Sequence, residues 1–255
     1  MTNPNKQRTG DELIVFDGMP AGKSLADYWR WNASDLLNNT LRGSYAEFIV
    51  SMALGVDLNG TNDDWTPYDI SLPLHWQCGT EFREEVRIEV KSCAYLQSWH
   101  KGDGRLSNIQ FSIRPTRAWD PIDGYSDEIK RQSDVYVFCL YAETAYERAN
   151  PLILDGWDFY VLPTCILDEK CGSQKTISLT MLKQLFPNGI KYNDIQDAVL
   201  QALEAYPPPV NLHSFHRSFL FILKKAAPYN RSCFFFNGHF FWRYLDGLKE
   251  IGTAA

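Results

Sequence analysis

Two near-continuous apolar runs, SDVYVFCLY (133–141) and DFYVLPT (158–164), set the strongest limit on this chain. Strands rich in Val, Tyr and Phe with no polar alternation belong in the middle of a sheet covered on both faces. The rest of the 255 residues must supply that cover, and a hydrophobic content of 45% is enough for such a core. The expected fold class is therefore α/β.

Candidate covering elements can be placed by periodicity. GSYAEFIVSMALG reads as a helix with Ser44 as N-cap, a stripe of Tyr45, Phe48, Ile49, Met52 and Ala53, and Gly55 as its stop. Val50 and Leu54 make the other side apolar too, so this helix is expected to be buried all round, and Glu47 within it needs a partner. Helical patterns recur over 178–186 and 193–205, the latter capped by Asn193. LIVF (13–16) is a short apolar segment before a Gly/Pro turn at 18–22, IQFSI (109–113) reads as a strand, and RPTRAWDPIDGY (114–125) reads as a loop.

Pro207-Pro208-Pro209 separates a body, residues 1–206, from an extension, residues 207–255. The extension offers a helix, FHRSFLFILKKAA, and then CFFFNGHFFW, where Asn237-Gly238 between aromatic runs signals a two-residue hairpin. It is expected to pack on the core or at an oligomer interface, because its hairpin is apolar on both faces. Six basic against two acidic side chains make it +4, which leaves 19 basic against 29 acidic side chains and −10 for the body.

The net charge of −6 argues against a protein that coats nucleic acid, which needs a broad cationic face, but leaves room for a local basic groove. The six cysteines form no C-x-x-C pair and no zinc-finger spacing, so they read as buried thiols. No apolar run reaches the roughly 18 residues of a membrane helix, and the first residues lack the apolar core of a secretory signal. The expectation is a cytoplasmic protein with no membrane contact.

Chemistry is expected at REEVRIEVKSCAYLQSW (83–99). Alternation puts Glu89 and Lys91 on one face of a strand and Val86, Ile88 and Val90 on the other. The chain holds three [D/E]-x-K triplets, where about one is expected by chance. Glu128-Ile129-Lys130 lies in a polar, helical approach to a strand, and Asp168-Glu169-Lys170 in a charged loop. Only Glu89-Val90-Lys91 has an acidic residue on a neighbouring strand, Asp69 in YDISLPL, joined to it by a connection (75–85) short enough for a hairpin with an irregular loop. Asp69 and Glu89 can then hold a hard divalent cation, Mg²⁺ or Mn²⁺, with the Val90 carbonyl and Glu47 completing the ligand set, and Lys91 would orient an attacking water and offset phosphate charge.

These features resemble the PD-(D/E)XK nuclease superfamily, whose restriction-endonuclease-like fold is a mixed central sheet flanked by helices. The resemblance spans about residues 40–165: a helix with Glu47, the strand with Asp69, Glu89-Val90-Lys91 on the next strand, and Gln97 where some branches carry a functional Gln. It implies metal-dependent phosphodiester hydrolysis, most readily of DNA, in restriction, repair or defence. Asp69, Glu89, Lys91, Glu47 and Gln97 would be the catalytic set, with DNA and a second copy of the chain as expected partners. Two departures stand out: Pro67 is one step removed from Asp69, and AYLQSW with a Gly turn stands where a helix is expected after Lys91.

Plainer readings stand beside these. Glu89 and Lys91 form an ordinary cross-strand ion pair in one, and in another the whole protein is a nuclease-fold module that binds other proteins without cleaving. Arg114, Arg117, Lys130 and Arg131 either line a phosphate groove or cover a solvated face. Trp99, Trp119 and Tyr125 read as core before they read as base-stacking groups.

Overall fold

The computed structural model describes residues 7–62, 66–78, 81–120, 122, 124–206 and strands at 232–236, 239–244 and 247–253. The chain divides into two compact units, Met1–Trp76 with Arg83–Ala205, and Gln77–Phe82 with Tyr206–Ala255.

The first unit opens with an antiparallel ribbon, β1 (Leu13–Phe16) and β2 (Met19–Ser24), followed by helix α1 (Leu25–Ala33). Asp17 and Gly18, both at positive φ, make the ribbon's turn. Ser24 and Asp27 close a reciprocal capping box on α1.

Helix α2 (Asn39–Leu54) begins earlier than its sequence suggests. Asn38 is the N-cap, its side chain accepting from the Thr40 and Leu41 N–H groups at 3.0 and 3.4 Å. The Ser44 hydroxyl is inside the helix and donates back to the Thr40 carbonyl. Gly55, at φ 69°, closes the other end. The docked face is Arg42, Ala46, Ile49, Val50 and Leu54, while Phe48 and Met52 are exposed. The expected stripe is therefore split: Ile49 is buried, Tyr45 and Ala53 are half-buried and Phe48 and Met52 are exposed, so the helix is not buried all round. With apolar residues on most sides, hydrophobicity alone does not choose a face; small Ala46 permits close approach, and Arg42 finds acceptors beneath it.

The central sheet has the order β3-β4-β8-β9, from β3 (Ile70–Cys78), β4 (Glu81–Ala94), β8 (Val135–Tyr141) and β9 (Trp157–Pro163). β3 and β4 are neighbours joined by two residues, a connection only an antiparallel pair can use. Both strands run further into the 75–85 segment than an irregular loop would allow. β4 and β8 are parallel, β8 and β9 antiparallel, so the sheet is mixed. The crossover from β4 to β8 carries β5 (Gln110–Ser112), then β6 (Thr116–Asp120) and β7 (Gly124–Lys130), which form a ribbon where a loop was expected. Glu128 and Lys130 thus sit on a strand rather than a helix, paired to each other at 2.5 Å on the surface.

After β9 come α3 (Thr164–Cys171), β10 (Thr176–Ser178), α4 (Leu179–Leu185) and α5 (Ile195–Leu203). Asp168-Glu169-Lys170 is helical, not loop, and Asp168 pairs with Arg131. Ser178 caps α4, and α5 starts at Asp194 rather than Asn193.

Alternation along β8 and β9 explains why both runs lack polar residues. Tyr136, Phe138, Leu140, Tyr160 and Leu162 face a layer built from Phe111 of β5, Leu167 of α3, Ile177 of β10 and Leu182 of α4. Val137, Cys139, Phe159 and Val161 are buried on the opposite side, where α5 packs on β8 and β9 and against α2. The fold is mixed α/β, with helices around a mixed sheet.

In the second unit, β11 (Ser232–Phe236), β12 (His239–Tyr244) and β13 (Gly247–Thr253) pair antiparallel. The Asn237-Gly238 turn and the FHRSFLFILKKAA helix lie outside the described residues. Among the described residues no helix is long and apolar enough to cross a membrane.

Candidate active site

β4 carries a face of alternating charge: Arg83, Glu85, Arg87, Glu89 and Lys91, with Val86, Ile88 and Val90 buried on the other side. Sequence reasoning isolated Glu89 and Lys91, but the whole ladder is visible at period two in REEVRIEVK. Its lower half is locked. Arg83 pairs with Asp134, whose other oxygen accepts from the Arg87 N–H at 2.9 Å; Glu85 accepts from Tyr68, Ser71 and Arg87 at 3.0, 2.5 and 3.0 Å.

The upper half gathers the expected triad. The Asp69 N–H donates to the Ile88 carbonyl at 3.1 Å, which ties the residue before β3 to β4. Its carboxylate accepts from the Val90 N–H at 2.7 Å, standing in for a backbone acceptor where β3 begins. Lys91 Nζ lies 2.5 Å from Glu89 Oε1 and 3.6 Å from Asp69 Oδ2, so one ammonium answers two carboxylates. The Asp69, Glu89 and Lys91 side chains are 24%, 18% and 28% exposed, enough burial to weaken solvent screening and enough access for a ligand.

Burial pushes the Glu89 carboxyl above its ordinary range, and the negative charges of Asp69 and Glu47 push the same way against the pull of Lys91. Burial also works against the Lys91 charge, but Glu89 and Asp69 outweigh it and the ammonium titrates above its usual value. In the register of β4 with β8, Glu89 lies beside Tyr136, whose phenol is raised by burial first and by Glu89 second.

Glu47 rises from α2, which covers the opposite face of β4. Its carboxylate accepts from Asn62 Nδ2 at 3.1 Å, and its charge acts on Glu89 and on buried Cys139. Gln97 is buried, its Oε1 accepting from Arg42 Nη1 at 3.0 Å and its Nε2 donating to the Ala94 carbonyl at 3.0 Å. Arg42 also donates to Ser92 Oγ, the Leu37 carbonyl and Asn39 Oδ1, and its burial depresses the guanidinium's pKa. No sequence signal pointed to Arg42, because an Arg on the docked face of a helix is legible only once the docking is known.

Arg131 is no groove residue: it is buried, and its guanidinium donates to the Ile113, Gly172 and Gln174 carbonyls and pairs with Asp168. Trp99 and Tyr125, expected in the core, are exposed.

Among the described residues no three His, Cys, Asp or Glu side chains gather as a group able to hold a metal ion. The donor set that does converge is two carboxylates around one cation, with a carboxyl raised by burial and by its acidic neighbours. Oxygen donors in mutual repulsion are what a hard divalent cation fits. No family model, curated protein or solved structure matches the chain.

Proposed function

We propose that the chain is a divalent-metal-dependent nuclease that hydrolyses phosphodiester bonds, in DNA first. The observation that carries this reading is Lys91 bridging Asp69 and Glu89: a cation and two carboxylates held together, partly buried, on a strand fixed from both sides. Asp69 and Glu89 would hold Mg²⁺ or Mn²⁺ with the Val90 carbonyl, and Glu47, whose charge reaches Glu89, would add to the negative field at the ion. A bound divalent cation supplies charge neutralisation at the phosphate and a more acidic water. Lys91, released from the carboxylates, would then face the phosphate and orient the attacking water. Gln97 holds its place through Arg42 and Ala94 and supports the end of β4.

The alternating charges of β4 favour a second reading. With Lys91 as the last member of an ion-pair ladder, the cluster is complete without a metal, and the protein would act as a nuclease-fold module that binds other proteins. The two readings part in one experiment. Cleavage of single- and double-stranded DNA and RNA is measured with Mg²⁺ and Mn²⁺, and metal binding is followed by calorimetry in wild type and Asp69→Asn. The nuclease reading expects metal-dependent cleavage, lowered roughly 10²-fold or more in Lys91→Ala, and metal binding weakened in Asp69→Asn. Inert wild type together with undetectable metal binding would leave the interaction module standing.

A further inference from the structure

The first elements of the described residues, β1, β2 and α1, bury almost nothing. β1 is LIVF, exposed at all four positions, and α1 has no buried residue although its capping box is complete. Phe16 and Trp31 are each 82% exposed, and eight large apolar side chains between Leu13 and Trp31 are exposed. A two-stranded ribbon is marginal in water by itself, and a nine-residue helix is stabilised mainly by packing. What ties these elements together is local: Leu25 N–H to the Glu12 carbonyl, Ala26 N–H to the Gly10 carbonyl, and the Trp29 ring against Gly10. Such a substructure needs a cover.

We infer that the cover is the same surface of a second copy of this chain, joined through β1. Three observations favour a copy of itself. The two edges of the ribbon differ: β2 carries Pro20, which lacks an N–H, and Lys23, both of which discourage strand addition, whereas β1 has neither a proline nor a charge. An open edge of this kind is self-complementary across a two-fold axis, so β1 pairing with its symmetry mate makes a four-stranded sheet. LIVF is also apolar on both of its faces, so the residues on each side of the new sheet meet like residues without opposing like charges. The area is sufficient: at the ~150–250 Å² of a large aromatic, and less for the aliphatics, the exposed fractions sum to on the order of 800 Å² per copy. That is about what one side of a standard stable interface buries.

The test is the mass of the full chain by light scattering and sedimentation at micromolar concentration, for wild type, Phe16→Glu and Trp31→Glu. Both substituted side chains are exposed, so the circular dichroism of the folded body is expected to persist while the mass falls twofold from dimer to monomer and melting loses its dependence on protein concentration. A monomeric wild type overturns the inference, and so does a dimer that both variants retain, which places the interface elsewhere. If either variant loses its circular dichroism, hydrogen exchange of wild type decides. Amides of Leu13–Phe16 that gain protection as concentration rises support pairing between copies. For the β1 amides on the edge away from β2, protection independent of concentration means that another part of the same chain covers the face and overturns it, as does no protection at any concentration.

Discussion

Glu89 and Lys91 have raised pKa values, yet their effects on stability fall at opposite ends of the pH scale. A carboxyl raised by burial keeps its proton more firmly in the folded than in the unfolded state. Its contribution is therefore most favourable below the ordinary value of 4.5 and declines as pH rises through the higher folded value. Lys91 contributes stability that is fully present below 10.5 and is lost as pH rises through its raised folded value. Glu89→Gln should accordingly remove part of the decline in unfolding free energy that begins above pH 4.5 on the acid side, and should start the alkaline loss earlier because Lys91 keeps only Asp69. Urea denaturation across pH 4–11 measures both limbs. Buried Asp134 is also raised by desolvation and is untouched by the substitution, so some acid-side slope remains. Identical pH profiles for wild type and Glu89→Gln would mean that Glu89 is not the strained carboxyl of the site.

Among the elements, α2 shows how local and tertiary signals divide the work. Asn38 satisfies two N–H groups at the helix start, and Asn38→Ala should cost about 1 kcal/mol in the denaturation midpoint with little change in slope. Ser44→Ala should change stability far less, since its hydroxyl only reaches back to Thr40. β8 and β9 were legible because an unbroken apolar run has one stable placement, and the alternation of β4 was legible because Val86, Ile88 and Val90 fix the face of Glu89 and Lys91. The face of α2 was not, because Tyr45, Phe48 and Met52 are as apolar as the residues that docked. Helix α3 was hidden for another reason: it is eight residues long with no side-chain cap, and the Arg131 contacts that secure its region come from thirty or more residues away. In contrast, α1 carried a readable signal in Ser24 and Asp27, three apart, of the kind that opens helices.

On the scale of the whole molecule, the site was readable where it depends on one hairpin and obscure where it depends on docking. Asp69, Glu89 and Lys91 meet because β3 and β4 are joined almost directly. Arg42 and the environment of Gln97 required α2 to be set on the sheet first. Charge adds a constraint that no single element carries. A body with 19 basic and 29 acidic side chains repels a polyanion over most of its surface, and Arg83, Arg87 and Lys91 are each already paired with a carboxylate. A nucleic-acid substrate must therefore be held by few phosphate contacts. Two to four contacts give a slope of log affinity against log salt of about −2 to −4 on duplex DNA, much shallower than that of a protein that coats its ligand. Fluorescence anisotropy with a labelled duplex in Ca²⁺, from 25 to 250 mM salt, measures it, and Lys91→Ala should make the slope shallower by about one contact. A slope unchanged by Lys91→Ala would separate this lysine from the phosphate. One far steeper than −4 would require a cationic surface that the described residues of the body do not supply.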